Sequence, residues 1–547
     1  MARASKLFGT SPASPRTGLQ ISKTYRKATK LNKEGFPTFD RSIEEDTLAV
    51  LTTNTLGNTF YADEKTLAKE TVDVITKMAE KDPTFLAKAL VYARTKGLMK
   101  LAPVVGLTVL SAHEKTAKKT NFRAAFQHVV KTPDDLREFV SLCRTGEIRK
   151  GLGGEARDAV KRWLQHISEY HAVKYGSARS EDITLRDIIR MAHPRPVNRA
   201  QEELFGWLVK GWQSVGASPS PTNPLVWALE TLKRSTDEAQ IIDLVVKYRL
   251  PWEVVVPSVK KMTVNIWKAL LAGMPYMALL RNLATMERHD VFKDDAVAKL
   301  VAGKLSDKEN VRKSKQFPFR FFNAFQAFQG HQAVKDAIVD ALEQSFENVE
   351  TLPGRVCISN DVSGSMSSQV SDRGSTRMCD IAGLFGAALF KKQENVILLP
   401  FENGVRTDLT KGLSRRSTIM DIAAKIGVAI GGTNLGAPIE YLGHRGLVID
   451  TFIGITDSED WAGSGFLTAW EKYKRTRSPK AKAVLINIAP YRDWVAPAGY
   501  PDVHYVSGWS DSVLRYIPLV VNGTSNQVEE VRKIDLDTFG KEKADSE

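Results

Sequence analysis

The chain has 547 residues, 43% of them hydrophobic and 26% charged, which predicts a globular protein of about two to four domains. The net charge of +14 lies entirely in one part: residues 1–350 hold 54 Lys and Arg against 40 Asp and Glu, while residues 351–547 hold 23 of each. No run of about 18 apolar residues is present, so no membrane span is expected, and the basic start "MARASKLFGTSPASPRTGL" has no apolar core of a secretory signal. Cys143, Cys357 and Cys379 are scattered and form no C-x-x-C pair, which points to a reducing, cytoplasmic setting.

Residues 1–38 are expected to be a basic arm. Its stretch "SKTYRKATKLNK" (22–33) reads as a disordered tail, with an RNA-contacting arm as the alternative. Residues 39–352 read as helices nearly throughout. "DEKTLAKETVDVITKMAEKD" (63–82) places Leu67, Val72, Ile75 and Met78 near helical spacing. "DPTFLAKALVYARTKG" (82–97) opens with Asp82 as an N-cap and Pro83 in the first turn. Helical patterns continue through 132–176, 185–196, 265–290 and 331–350 without a strict repeat. Helices of roughly 12 to 20 residues with short Gly, Pro and Asp punctuation predict stacked helix pairs, an α-solenoid. Charge alone leaves two explanations for the basic first part, solubility or a polyanion partner.

At Pro353-Gly354 the pattern changes. Short β-rich runs, "RVCISN", "NVILLPF", "LVIDTFIGIT", "KAVLINIA" and "VHYVSG", alternate with the helical "CDIAGLFGAALFKKQ", "STIMDIAAKIG" and "SDSVLRYI". This alternation predicts an α/β domain with a largely parallel sheet over 353–540, followed by a short tail, 541–547.

In such folds ligands bind at the carboxyl ends of the strands. Asp361 falls at that end of the first β-run, with Ser363 and Ser365 just beyond; "IGGTNLGAP" places Thr433 after a Gly pair; "FIGITDSED" places Asp457 at the end of another apolar strand. These are hard oxygen ligands suited to Mg²⁺ or Mn²⁺. The rivals lack their signatures: "DVSGSM" is not the G-x-S-x-G of a nucleophile elbow, and no P-loop pattern is present. A plain turn explains D-x-S alone, but not three such loops in order. The set "DVSGSM … GGTN … TDSED" resembles the metal-ion-dependent adhesion site of von Willebrand factor A domains. The resemblance implies that Ser363, Ser365 and Thr433 ligate a divalent cation directly. Asp361 and Asp457 would act partly through water, and an open position would take an acidic group.

The helical part resembles the TROVE module of the Ro autoantigen family. The carrying segments are "IWKALLAGMPYMALLRNLATM" (266–286) and "LRDIIRMAHPRP" (185–196), with support from "GGEARDAVKRWL", "AVKYG" and "FPFRFFNAFQAFQGH". Helical spacing alone puts Arg186, Arg190 and His193 on one face, which a solvated surface also explains. "MPYMALLRNLATM" reads as core, with its methionines as filler, and the phenylalanine-rich segment reads as core rather than a base-stacking surface. The resemblance implies a HEAT-like solenoid closed into a ring and followed by the A domain. It places Lys174, Arg179 and His193 on a surface that binds small structured Y RNAs, Arg179 after a one-residue insertion. It further implies single-stranded 3′ ends of misfolded RNA in the ring channel, polynucleotide phosphorylase as a tethered partner, and a non-enzymatic, monomeric scaffold in RNA quality control. The competing expectations are a metal-dependent protein-adhesion module with no RNA role, and a phosphohydrolase built on Asp361, for which no general base is evident.

Overall fold

The computed structural model describes residues 30–31, 37–38, 41–53, 64–115, 119–176, 183–216, 218–316, 318–346, 349–370, 376–458, 463–489, 495–496, 500, 502–508, 513–514, 517–518, 521 and 527–536. Most of the arm 1–38, the tail 541–547 and Arg179 lie outside the described residues.

From Ile43 to Ser345 the described chain is a succession of helices. Their starts follow local chemistry. Asp82 caps the helix Pro83–Thr95 by accepting from the Phe85 N–H, and Pro83 fills the first turn, where its missing N–H costs nothing. Thr132 and Asp135 cap the helix Pro133–Thr145 reciprocally, and Gly146 ends it at φ 82°. Several helices pack strongly on the next but one: 64–81 on 101–113, 83–95 on 120–129, 101–113 on 133–145, 238–248 on 264–273. That is the packing of a solenoid, in which one apolar stripe alone cannot be buried and the following pair covers it. The segment 265–290 is two helices, Val264–Gly273 and Tyr276–Arg288, divided at Pro275. Met274 and Met286 are buried there, as are Phe321, Phe322 and Phe328 of the phenylalanine-rich segment.

The second part is a five-stranded sheet, wholly parallel, of β1 (Val356–Asn360), β2 (Val396–Leu398), β3 (Thr451–Thr456), β4 (Lys482–Asn487) and β5 (Val503–Ser507), in the order β2-β1-β3-β4-β5. Alternate residues face opposite ways. Cys357, Phe452, Leu485 and Val503 join a core with Phe466 and Trp470 on one side. Ile358, Ile453, Ile455, Val484 and Val506 join the other side, and that core runs without a break into the helical array. On that side the helices Met378–Lys392 and Ile419–Ile426 pack backbone to backbone at Gly383 and Gly427; a Cβ on Gly383 would stand 2.8 Å from the Gly427 Cα.

The sheet domain holds both ends of the array. At the late end Glu343 pairs with Lys391 at 2.8 Å and also accepts from the Ile419 N–H, while Asn323 donates to Thr376 Oγ1 at 2.6 Å. At the early end the helix Gln527–Arg532 packs on Pro83–Thr95. Lys88 Nζ donates to the Arg532 carbonyl at 2.7 Å, Arg532 pairs with Glu44 at 3.1 Å, and its guanidinium lies 5.1 Å from the Phe85 ring centroid. Gln527 is buried and bonds both backbone groups of Ser507 and the Tyr92 hydroxyl. The circuit of packed elements therefore closes on itself.

Candidate metal centre and nucleic-acid interface

The strand order makes the chain leave β1 to one side for β2 and return across it to β3, so the topological switch lies between β1 and β3, where such sheets bind ligands. Asp361 follows β1 and Asp457 follows β3 at the same edge. Asp361 Oδ1 accepts from the Ser363 N–H at 2.9 Å, and its Oδ2 accepts from Thr456 Oγ1 at 2.7 Å. Ser363 Oγ and Ser365 Oγ stand 3.1 Å apart. The Thr433 loop is strapped on by two backbone bonds, Gly364 N–H to the Gly431 carbonyl at 3.0 Å and Ile430 N–H to the Val362 carbonyl at 2.6 Å. Gly431 sits at φ 70°, and a Cβ there would collide with the Glu402 carboxylate, so the bend needs glycine.

All five sequence-identified residues are buried, and the structure brings their loops to one edge. Burial pushes the Asp361 carboxyl up to about 6, against the pull of its hydrogen bonds from Ser363 and Thr456. Two buried carboxylates at one edge favour a cation. Thr433 Oγ1 is buried with no hydrogen-bond partner, a cost of about 1–3 kcal/mol that a bound ion would offset. The donor set thus fits a hard divalent cation. Among the described residues no group of three His, Cys, Asp or Glu side chains is placed to hold a metal. Thr456 was not singled out from the sequence; its position directly before Asp457 at the end of an apolar strand was the available signal.

The basic residues present a different picture. Thr184 and Asp187 cap the short helix Leu185–Ala192, and the Thr184 hydroxyl and N–H hold the Asp187 carboxyl below its ordinary range. Leu185, Ile188, Ile189 and Ala192 are buried, which turns Arg186, Arg190 and His193 outward, all three exposed. His193 ends the helix in the left-handed region at φ 50°. Lys174, on the helix Glu169–Gly176, is mostly covered and pairs with Glu253 at 2.7 Å. A further basic cluster went unread in the sequence because its members are far apart. Lys100 has its pKa lowered first by desolvation and then by Arg94 and Arg320, against the opposing pull of Asp135 and Asp134; Arg320 is lowered by desolvation and by Arg281. Basic groups from both ends of the helical array come near one another there, with Arg94 itself paired to Asp135 at 2.6 Å.

No described helix is long and apolar enough to cross a membrane. The TROVE domain model matches residues 247–359 and the Ro60 vWA domain model residues 355–518. The segment bearing Lys174 to His193 precedes the matched residues. A protein of Deinococcus radiodurans named RNA-binding protein RO60 is 26% identical over 465 residues, 78% of this chain and 82% of its own. A Caenorhabditis elegans protein of the same name is 24% identical over 466 residues, 72% of this chain and 71% of its own. The crystal structure of the Deinococcus radiodurans RO (RSR) protein superposes with a TM-score of 0.65 at 21% identity, covering 88% of this chain and all of that one.

Proposed function

Because the chain belongs to the Ro family, with a TROVE domain followed by a Ro60 vWA domain, we propose that it is an RNA-binding scaffold. The observation that carries this is the outward face of Arg186, Arg190 and His193 on a helix whose opposite face is core, in the part of the chain that holds the whole net positive charge. Such a face binds phosphates by displacing counterions. We assign it to small structured RNA of the Y type, with Lys174 at its margin; the family resemblance adds Arg179 to the residues that contact this RNA. The cluster around Lys100 and Arg320 supports a second contact, with single-stranded 3′ ends of misfolded RNA. The protein would then act without catalysis in RNA quality control, as a monomer in the cytoplasm, with polynucleotide phosphorylase as a candidate tethered partner. The three buried free thiols support a reducing compartment.

The A-domain edge has a proposed role beside this. Ser363, Ser365 and Thr433 would hold Mg²⁺ or Mn²⁺ directly, with Asp361 and Asp457 balancing its charge. When bound, the ion supplies an open position for an acidic group. The orphaned Thr433 hydroxyl favours this second, adhesion-type role.

The test is the absorbance ratio at 260 and 280 nm of the native protein, with sequencing of any bound RNA, followed by RNA affinity against salt. Affinity for a structured small RNA is expected to fall steeply with salt, with a slope of about −0.7 to −0.9 per phosphate neutralised. Nucleic-acid-free protein with a flat salt response would overturn the proposal.

A further inference from the structure

A cavity of about 710 Å³ opens in the helical module, away from the A-domain edge. Its wall includes Tyr170, Val246, Tyr248, Arg249, Trp252 and Ala272. Three features set it apart from an ordinary gap between helices. Its mostly aliphatic lining carries three aromatic residues, Tyr170, Tyr248 and Trp252, from three different helices, Glu169–Gly176, Glu238–Tyr248 and Trp252–Ser258. Val246 also lines it and is 56% exposed, an apolar side chain left to solvent at the wall. Two helices, Glu238–Tyr248 and Val264–Gly273, end at it, each followed by a helix that opens behind a proline, Pro251 and Pro275.

Those features select a ligand class. Helix C-termini carry partial negative charge, and here both are met by cations: Lys304 Nζ donates to the Leu271 and Met274 carbonyls at 3.1 and 2.8 Å, and Arg249 caps the end of Glu238–Tyr248. Aromatic faces favour a flat ring. Arg249, held as a left-handed C-cap at φ 48°, adds a guanidinium to the same wall. The Trp252 Nε1–H is buried with no acceptor, a polar group whose presence packing alone does not account for. A flat ring that carries acceptor atoms and is attached to an anionic backbone meets these conditions: the aromatic faces stack on it, an acceptor takes the Trp252 N–H, and the cations face the backbone. The cavity also adjoins the basic surface: Tyr170 lies one helical turn from Lys174, whose Nζ is 5.9 Å from the Tyr170 ring centroid.

We propose that this cavity receives one unstacked nucleobase from a single-stranded stretch of bound RNA. The proposal rests on the RNA-binding function above and specifies what one part of that surface reads. Stacking of single-stranded bases on aromatic side chains is a recurrent mode of RNA recognition.

The experiment uses the full chain and three labelled oligoribonucleotides of equal length, oligoadenylate, oligocytidylate and oligouridylate, with anisotropy at fixed salt. A structured small RNA is measured alongside. Ala272→Trp plugs the cavity from an exposed helical position, and Val448→Trp, at an exposed valine of the other domain, is the control. Tyr170→Leu is the second variant, should the plug disturb the fold. Both cavity variants are expected to weaken oligoadenylate and oligocytidylate about tenfold, with the salt slope and the control unchanged. Oligouridylate is expected to be weakened by the same variants, since each base has a face to stack. Equal affinities in the wild type and both cavity variants overturn the proposal. So does a wild type that binds the structured RNA but none of the oligomers, and RNA binding then stands without the cavity. A wild type that binds no RNA at all overturns the RNA-binding function and the cavity with it.

Discussion

Single side chains decide the two sites in opposite ways. At the A-domain edge the polar atoms are buried and fixed. Removing one carboxylate is expected to abolish the cation: Asp361→Ala should eliminate Mg²⁺ binding in calorimetry, and normal binding by that variant would refute the five-residue assignment. Gly431→Ala touches no proposed ligand. It should nevertheless lower Mg²⁺ affinity, because the added Cβ meets Glu402 and displaces the strap that carries Thr433. At Lys100 the logic is reversed. Desolvation and the cations Arg94 and Arg320 disfavour its charged form in the folded protein. The unfolded chain therefore binds more protons at this group, and its contribution to stability rises with pH as the folded-state pKa is passed. Lys100→Met should leave the melting temperature unchanged or higher, while weakening RNA binding and reducing the salt slope by about 1. A variant that loses stability but keeps its salt slope would show that Lys100 is structural.

At the scale of elements, local signals and tertiary partners divide the work. The cap of Leu185–Ala192 is a single reciprocal pair, Thr184 with Asp187. Thr184→Ala should cost about 1 kcal/mol by denaturant unfolding, and RNA affinity should fall although no basic residue has changed. The helices, the five β-runs and the edge residues were legible in the sequence because each depends on nearby residues: apolar periodicity, Asp82-Pro83, Thr132 with Asp135, polar residues at strand ends. What stayed hidden depends on partners distant in the chain. "AVKYG" gives no hint that Lys174 pairs with Glu253. Pro275 was in plain view inside "MPYMALL", yet the run of apolar residues across it masked the break between two helices. The basic segments around residues 94–100 and 281–320 look unrelated until the array brings them together.

Over the whole molecule, the sheet domain is the fastener between the first and last helices. Gln527 is its most economical test, since one buried amide serves Ser507 and Tyr92 together. Gln527→Ala strands both Ser507 backbone groups at a cost of about 1–3 kcal/mol. It should raise hydrogen exchange in 43–53 and 83–95 ahead of the rest of the array. Uniform exchange across all the helices would show that the closure is held elsewhere. The closure also has a consequence in time. Tyr92 and Gln527 are 435 residues apart, an interval that takes roughly 20 to 90 s to synthesise at ordinary elongation rates. Throughout that interval the early helices have emerged and their fastener has not. If RNA occupies the ring as proposed, it could be encircled in that window without offering a free end, whereas entry into the closed circuit would need threading or release of one of the two contacts that fasten the array, at Gln527 or at Glu343.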